Sequence, residues 1–97
     1  MDNKTISVSK LQEKLNNNER VFILDVRPID QRNEWKIEGS IHMDAYKQLN
    51  AGDDTALDLV DVPDNSTVVT VCAAGRTSLL ASNLLQRKGI NAYSLEG

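Results

Sequence analysis

The chain has 97 residues, of which 40% are hydrophobic and 26% are charged. That length suits a single domain, and the composition is globular rather than disordered. A net charge of −3 argues against a general nucleic-acid binder, and no apolar run is long enough for a membrane span or a secretory signal.

The first part of the chain predicts a strand, a helix and a second strand. Ile6–Val8 is typical of a short strand. Ser9 then predicts a helix N-cap, with Gln12 three positions later as in a capping box. The run Asn16–Asn18 breaks that helix. Val21–Leu24 follows as four consecutive apolar residues, which predicts a strand buried on both faces.

The middle of the chain is more polar and less regular. Ile29–Trp35 predicts a short polar helix, and Ser40–His42 predicts another short strand. Residues 48–75 contain no Lys or Arg and carry the aspartates Asp53, Asp54, Asp58, Asp61 and Asp64. We interpret this stretch as a solvated acidic surface rather than a docking face. It would hold short helices at Ala56–Leu57 and Leu59–Val60.

The last part of the chain carries the strongest periodic signals. Thr67–Val71 is almost wholly β-branched and predicts a strand. Ser78–Lys88 predicts an amphipathic helix that Gly89 ends as a C-cap. Ile90–Leu95 alternates as a final strand would. Strands that alternate with helices over a short chain indicate an α/β fold with parallel strands.

Active sites of such sheets lie at the carboxyl ends of the strands. Asp25, Arg27 and Cys72 each follow a predicted strand, so we expect them at one site. Cys72 is the only cysteine and His42 the only histidine. They can form neither an internal disulfide nor a usual four-ligand zinc site. We therefore expect a cytoplasmic protein in which Cys72 is the only soft nucleophile.

The segment that begins at Cys72 joins a strand to a helix through small residues. Loop amides and the following helix N-terminus would favour thiolate over thiol. Gly75 permits a backbone conformation that other residues resist. Arg76 would supply positive charge, and Thr77 or Ser78 could donate a hydroxyl hydrogen bond. A buried structural thiol is the alternative, but the strand–loop–helix setting favours an activated nucleophile.

Two segments of the chain resemble those of rhodanese-like sulfurtransferase domains. One is Ile23–Pro28 followed by Ile37–His42, which matches the family's LDVR…I-x-G-A-I-x stretch. The other is the Cys72 loop, with Gly75 three and Ser78 six positions on. The resemblance covers essentially all of residues 1–97. Within the family it is greatest to rhodanese modules fused to metallo-β-lactamase-fold persulfide dioxygenases.

The resemblance implies a single three-layer α/β domain, with a mostly parallel sheet of about four to five strands flanked by helices. It implies that Cys72 takes sulfur from thiosulfate or a low-molecular-weight persulfide and holds it as a cysteine persulfide. Cyanide, sulfite or a thiol would accept that sulfur. No metal, organic cofactor, nucleic acid or membrane is implied. The implied binding residues are Ala73, Ala74, Gly75, Arg76, Thr77 and Ser78.

The chain departs from the family pattern at three places. Many single-domain members carry an arginine five positions after the cysteine, where this chain has Thr77 and places Arg76 one residue earlier. Thiosulfate-specific members carry basic residues where this chain has Ala73 and Ala74, which favours a persulfide donor. Trp35-Lys36 replaces a frequent Gly-His and affects local packing.

The remaining candidate residues have structural interpretations. Asp25 and Arg27 could support the substrate mouth, but we favour a pair whose hydrogen bonds hold loops at the sheet edge. The family mechanism needs no histidine base, so we expect no catalytic role for His42. Relatives usually continue past Gly97 with a closing helix. We therefore expect a domain of a longer parent protein, or an oligomer that covers the gap.

Two other functions compete with a sulfurtransferase. The first is a non-catalytic rhodanese-like module that binds a partner or organises a larger enzyme. Inactive modules often lack the cysteine, whereas this chain keeps Cys72. The second is a phosphatase related to the dual-specificity enzymes that act on cyclin-dependent kinases. Those enzymes have a longer loop with an arginine six positions after the cysteine, where this chain has Ser78.

Overall fold

The computed structural model describes residues 5–72 and 76–96. Within these ranges, strands and helices alternate along the chain. They are β1 (Thr5–Ile6), α1 (Val8–Asn16), β2 (Val21–Asp25), α2 (Ile29–Glu34), β3 (Ile41–His42), α3 (Tyr46–Asn50), β4 (Thr67–Val71), α4 (Arg76–Arg87) and β5 (Ala92–Leu95). None of the helices in the described ranges is both long enough and apolar enough to cross a membrane.

All five strands belong to one parallel sheet, in the order β1-β5-β4-β2-β3. The two longest strands, β2 and β4, lie side by side in its interior. Their register pairs Val21 with Thr67 and Asp25 with Val71, so both strands end at the same edge. That edge carries Cys72 next to the residues that follow Asp25.

The sheet is covered on both faces, which explains why its central strands are mostly apolar or β-branched. On one face, α1 packs through Leu11 onto Ile23 and Val69. On the other, α3 and α4 pack through residues such as Leu49 and Leu84. The expected three-layer α/β architecture is confirmed.

The first helix begins earlier than its sequence pattern predicts. The helix already includes Val8, and its N-cap is Ser7, whose hydroxyl accepts a hydrogen bond from the Lys10 N–H at 3.1 Å. The predicted N-cap at Ser9 is therefore wrong by two residues. The strand predicted at Ile6–Val8 is observed at Thr5–Ile6, because Ser7 caps the helix and thereby ends the strand.

The acidic stretch contains turns instead of the two predicted short helices. The Asp53 carboxylate accepts hydrogen bonds from the Thr55 N–H at 2.9 Å and the Thr55 hydroxyl at 2.7 Å. Successive turn bonds follow, including one from the Val60 N–H to the Leu57 carbonyl. Side-chain competition of this kind opposes helix propagation. The helix of this region is α3, which the sequence pattern did not predict.

Gly89 ends α4 as expected. Its φ is +85°, and its N–H donates to the Gln86 carbonyl while the Ile90 N–H donates to the Leu85 carbonyl. These two bonds form a Schellman motif, which needs a left-handed residue at this position. The chain can then reverse directly into β5, which returns alongside β4.

Candidate active site

Cys72 lies directly beyond the end of β4, in front of the N-terminus of α4. Its side chain is partly buried, and the N–H of Ser78 donates a hydrogen bond to its Sγ at 3.2 Å. The first turn of a helix has N–H groups without intrahelical partners and a partial positive charge. This arrangement favours negative charge on the sulfur.

Cys72 opens into a cavity of about 240 Å³. Arg27 and Arg76 contribute positive charge to its wall, and none of the described residues that line it is acidic. The remaining lining residues are Pro28, Gln31, Tyr46, Asn50 and Thr77. Arg76 is exposed, whereas Arg27 is buried, so one arginine meets solvent at the mouth and the other lies inside.

Arg27 and Asp25 form a buried ion pair at the end of β2. Each residue is 1% exposed. The Asp25 carboxylate accepts from Arg27 Nη2 at 2.7 Å, from Nε at 3.0 and 3.1 Å, and from the Arg27 backbone N–H at 3.0 Å. Such a bidentate arrangement satisfies both charges inside the protein. The geometry is that of a buried ion pair that holds the end of β2.

The electrostatics of this pair follow from its hydrogen bonds. Burial alone would raise the pKa of Asp25, but the Arg27 hydrogen bonds and the charges of Arg27 and Arg32 together hold it below its ordinary value. The hydrogen bond to Asp25 raises the pKa of Arg27, and the nearby Cys72 charge adds a smaller effect in the same direction. Arg27 is therefore a permanent cation, paired chiefly with Asp25.

Arg27 is also held by the segment that follows it. Its Nη2 donates to the Trp35 carbonyl at 2.6 Å and its Nη1 to the Gln31 carbonyl at 3.3 Å. The guanidinium carbon lies 4.0 Å from the centroid of the Trp35 ring, a cation–π geometry. These contacts fix α2 and the segment beyond it to the site.

Arg32 is a site residue that sequence reasoning missed. Its Nη1 donates to Asp25 Oδ2 at 3.2 Å and to Ser40 Oγ at 3.1 Å, and its Nη2 donates to the Ser40 carbonyl at 3.1 Å. It thus ties α2 to the end of β2 and to the turn before β3. In the sequence, Arg32 is one charge in a polar helix, and nothing in that pattern marks it as a partner of Asp25.

The residues that open α4 have separate roles in the geometry. Thr77 is buried, lines the cavity and accepts a hydrogen bond from Asn50 Nδ2 at 3.1 Å. The Ser78 hydroxyl is hydrogen-bonded to the Ser94 hydroxyl at 2.6 Å, so the residue meets Cys72 through its backbone. Three further expected binding residues, Ala73, Ala74 and Gly75, lie outside the described residues.

His42 lies on β3 and contacts the site through the backbone. Its Nε2 is 2.7 Å from the Arg27 carbonyl oxygen. Because a carbonyl oxygen only accepts, Nε2 carries the proton in this contact. The imidazole therefore supports the segment that holds Arg27. In the described part of the chain, no three His, Cys, Asp or Glu side chains are grouped to hold a metal ion.

A second cavity, of about 340 Å³, is also lined by Cys72. It is mainly apolar and is formed by α1, the segment around Trp35 and the ends of β4 and β5. Its lining residues are Val8, Leu11, Gln12, Leu15, Trp35, Ile37, Val71, Cys72, Leu95 and Glu96. Trp35 is 54% exposed on its rim. Cys72 thus lines both this apolar cavity and the cavity that contains Arg27 and Arg76.

The fold and site together define an α/β domain organised around a cysteine at the carboxyl end of a central parallel strand. Residues 7–97 match the family model of the rhodanese-like domain. The chain therefore belongs to the rhodanese-like domain family, as the sequence motifs had indicated.

Individual relatives agree with this assignment. The chain is 32% identical over 76 residues to a tRNA sulfurtransferase of Desulfurococcus amylolyticus, covering 78% of this chain but only 14% of that protein. A rhodanese-like domain protein from Staphylococcus aureus has a TM-score of 0.77 at 26% identity, covering 97% of this chain and 85% of its own. The reduced CoADR-RHD of Bacillus anthracis shares the fold, with a TM-score of 0.75 at 21% identity over 98% of this chain and 15% of its own.

Proposed function

We propose that this chain is a sulfurtransferase that moves a sulfane sulfur through a persulfide on Cys72. The observation that carries the proposal is the Ser78 N–H at 3.2 Å from the Cys72 sulfur, at the N-terminus of a 12-residue helix. A rhodanese-like domain with a relative named as a sulfurtransferase supports the same chemistry.

The proposed reaction has two half-reactions. The Cys72 thiolate attacks the sulfane sulfur of a donor R–S–S⁻, a new S–S bond forms on Cys72, and R–S⁻ leaves with the electron pair of the broken S–S bond. An acceptor thiolate then attacks the outer sulfur and expels the Cys72 thiolate. With thiosulfate the first leaving group is sulfite, and with cyanide the product is thiocyanate. One sulfur atom moves, and no separate oxidant or reductant is needed.

The described residues would stabilise negative charge at each stage of the reaction. The thiolate, the persulfide and the donor are all anionic, and preorganised dipoles stabilise such charge without reorganisation. The Ser78 N–H and the α4 dipole act at the sulfur. Arg27 acts from the buried side and Arg76 from the mouth. Arg27 is also paired with Asp25, whereas no ion pair is found for Arg76 among the described residues.

We favour a low-molecular-weight persulfide as donor over thiosulfate. Ala73 and Ala74 put no cation beside Cys72, which disfavours a small dianion. The resemblance to modules fused to persulfide dioxygenases points the same way. The small-molecule partners of this chain would be the donor and a thiol, sulfite or cyanide acceptor. Other domains of a longer parent protein would be its protein partners, and the reaction would take place in the cytoplasm. The net charge of −3 argues against a direct nucleic-acid partner.

Intact-protein mass spectrometry tests the proposal. The protein is incubated with glutathione persulfide or, separately, with thiosulfate. We expect a gain of one sulfur atom, faster with the persulfide, which cyanide removes and which Cys72→Ser abolishes. Absence of the gain with both donors on a folded sample would contradict the enzyme and favour the non-catalytic module. Turnover of para-nitrophenyl phosphate that Cys72→Ser abolishes would instead indicate a phosphatase.

A further inference from the structure

Three hydroxyl side chains are buried together beneath the N-terminus of α4. Thr70 and Ser78 are 0% exposed and Ser94 is 1% exposed. Thr70 on β4 and Ser94 on β5 are direct partners in the parallel register, so both face α4. The hydrophobic cluster on this face of the sheet is mainly aliphatic. A hydroxyl buried among aliphatic residues is unfavourable unless it is hydrogen-bonded, so this cluster requires an explanation.

The contacts converge on Ser78. Its hydroxyl is hydrogen-bonded to the Ser94 hydroxyl at 2.6 Å. Its carbonyl accepts a hydrogen bond from Thr70 Oγ1 at 2.7 Å, and Thr70 Oγ1 also lies 3.2 Å from the Tyr93 carbonyl. The side chain and the carbonyl of Ser78 are therefore both fixed to the sheet, while its N–H donates to Cys72 Sγ at 3.2 Å.

We propose that Thr70 and Ser94 are positioning residues, which hold the first turn of α4 so that the Ser78 N–H points at the cysteine sulfur. This role rests on the proposed function, because it matters most when that sulfur carries charge. Hydrogen bonds to charged atoms are stronger than neutral ones and depend on alignment. Helix ends fray, so the first turn needs an external anchor to keep that alignment.

The variants Ser94→Ala and Thr70→Val remove the two anchors separately. The readout is the pH profile of Cys72 alkylation by iodoacetamide, measured without any sulfur donor. Among the described residues, the charged groups that line the two cavities at Cys72 are Arg27, Arg76 and Glu96, and neither variant changes any of them. We expect the midpoint of each profile to move upward by about half to one pH unit, as a hydrogen bond to the thiolate weakens.

Ser82→Ala is the matched control. Ser82 is equally buried on the same helix, and its hydroxyl donates to the Leu79 carbonyl at 3.1 Å, away from Cys72. Its midpoint should match that of the unchanged protein even if its melting temperature falls. Thr70→Ser keeps the hydroxyl and should restore the profile that Thr70→Val shifts. Equal midpoints for Ser94→Ala, Thr70→Val and Ser82→Ala would overturn the proposal.

The persulfide readout separates this proposal from the function on which it rests. If the unchanged protein gains no sulfur but the alkylation profiles shift as expected, the positioning role stands and the sulfurtransferase does not. If the unchanged protein gains sulfur but the alkylation profiles of all the variants coincide, the sulfurtransferase stands and the positioning role does not. Where both succeed, we expect the Ser94→Ala persulfide to be formed more slowly than that of Ser82→Ala.

Discussion

Asp25 is the residue on which the geometry of the site depends most directly. Its carboxylate holds Arg27 and Arg32, which in turn hold the segment from Gln31 to Ser40. Both members of the Asp25–Arg27 pair are buried, so removal of one leaves an uncompensated charge inside the protein. Breaking such a pair typically costs about 3–5 kcal/mol of stability.

Asp25→Asn should therefore destabilise the domain by about 3–5 kcal/mol at neutral pH. Because folding lowers the pKa of Asp25, its stabilisation is complete above about pH 4, the ordinary value of a carboxyl group, and is lost as the pH falls through the lowered value. Urea unfolding at a series of pH values measures both effects. The difference between the two proteins should shrink on acidification.

Asp58→Asn is the control for this prediction. Asp58 pairs with Lys88 at 3.0 Å on the surface, with side-chain exposures of 49% and 40%. Exposed pairs contribute about 0–1 kcal/mol. If Asp58→Asn cost as much as Asp25→Asn, the special status of the buried pair would be refuted.

Arg76 is the exposed cation of the cavity and the first residue of α4. A positive charge at a helix N-terminus is unfavourable, so Arg76→Ala should leave the stability unchanged or slightly higher. It should lower kcat/KM for an anionic donor, which corresponds to a rise in activation free energy of about 1–3 kcal/mol, the value of a charge-assisted hydrogen bond. Steady-state sulfur transfer measures the effect. Arg87→Ala, at the other end of the same helix, should show no such loss, and equal kinetics for both variants would remove Arg76 from the site.

Among individual residues, the sequence predicted those with a reactive or charged side chain directly after an apolar run. Cys72 and the Asp25–Arg27 pair follow apolar runs, so their places at the sheet edge were predictable. Arg32 and Ser94 were missed because their partners come from other elements, and no local pattern marks such a contact. The sequence indicated that Thr77 or Ser78 could donate a hydroxyl hydrogen bond. In the structure the Ser78 hydroxyl is bonded to Ser94, and the Ser78 N–H reaches the sulfur.

Among the elements, α4 connects the site to the rest of the fold. Its first turn faces Cys72, and its last turn ends at Gly89 with a φ of +85°. A Cβ added at Gly89 would meet nothing within 4 Å, so a substitution there changes only the backbone energy. A substitution at Gly89 therefore measures the free-energy cost of the left-handed backbone conformation without a steric contribution.

Gly89→Ala should destabilise the domain by about 1–2 kcal/mol, the cost of the left-handed conformation for an L-residue. Gly89→Asn should cost less, because asparagine tolerates this region. Thermal or urea unfolding compares the three proteins. Equal stability of the alanine and asparagine variants would show that strain is not the cause.

The long apolar or β-branched strands and the capped helix α4 were predictable because one dominant pattern specifies each. The short elements were not. α3 has five residues, and no side chain makes a hydrogen bond at its N-cap. Packing of the buried Leu49 supports the helix instead. The Asp53 side chain redirects the following backbone into turns that a hydrophobic pattern cannot reveal. Tertiary contacts and local polar competition decide such segments.

For the whole molecule, the alternation of elements predicted parallel strands joined by helical crossovers. The strand order was not predictable in the same way. β2 pairs with β4 rather than β1, which places β1 at an edge beside β5. That order depends on which apolar strands the two helical layers can bury, which is a property of the assembled fold.

The adjacency of β2 and β4 has a consequence for how activity relates to folding. Arg27 and Cys72 are far apart in the chain and meet only when a long loop closes between the two central strands. The entropy of that closure must be overcome before Arg27 can line the cavity at Cys72, whereas the Ser78 N–H comes from a residue only six positions further along the chain. Sulfur loading should therefore report the pairing of β2 with β4, and a chain in which these strands have not paired would retain the thiol but lack the Arg27 side of its cavity.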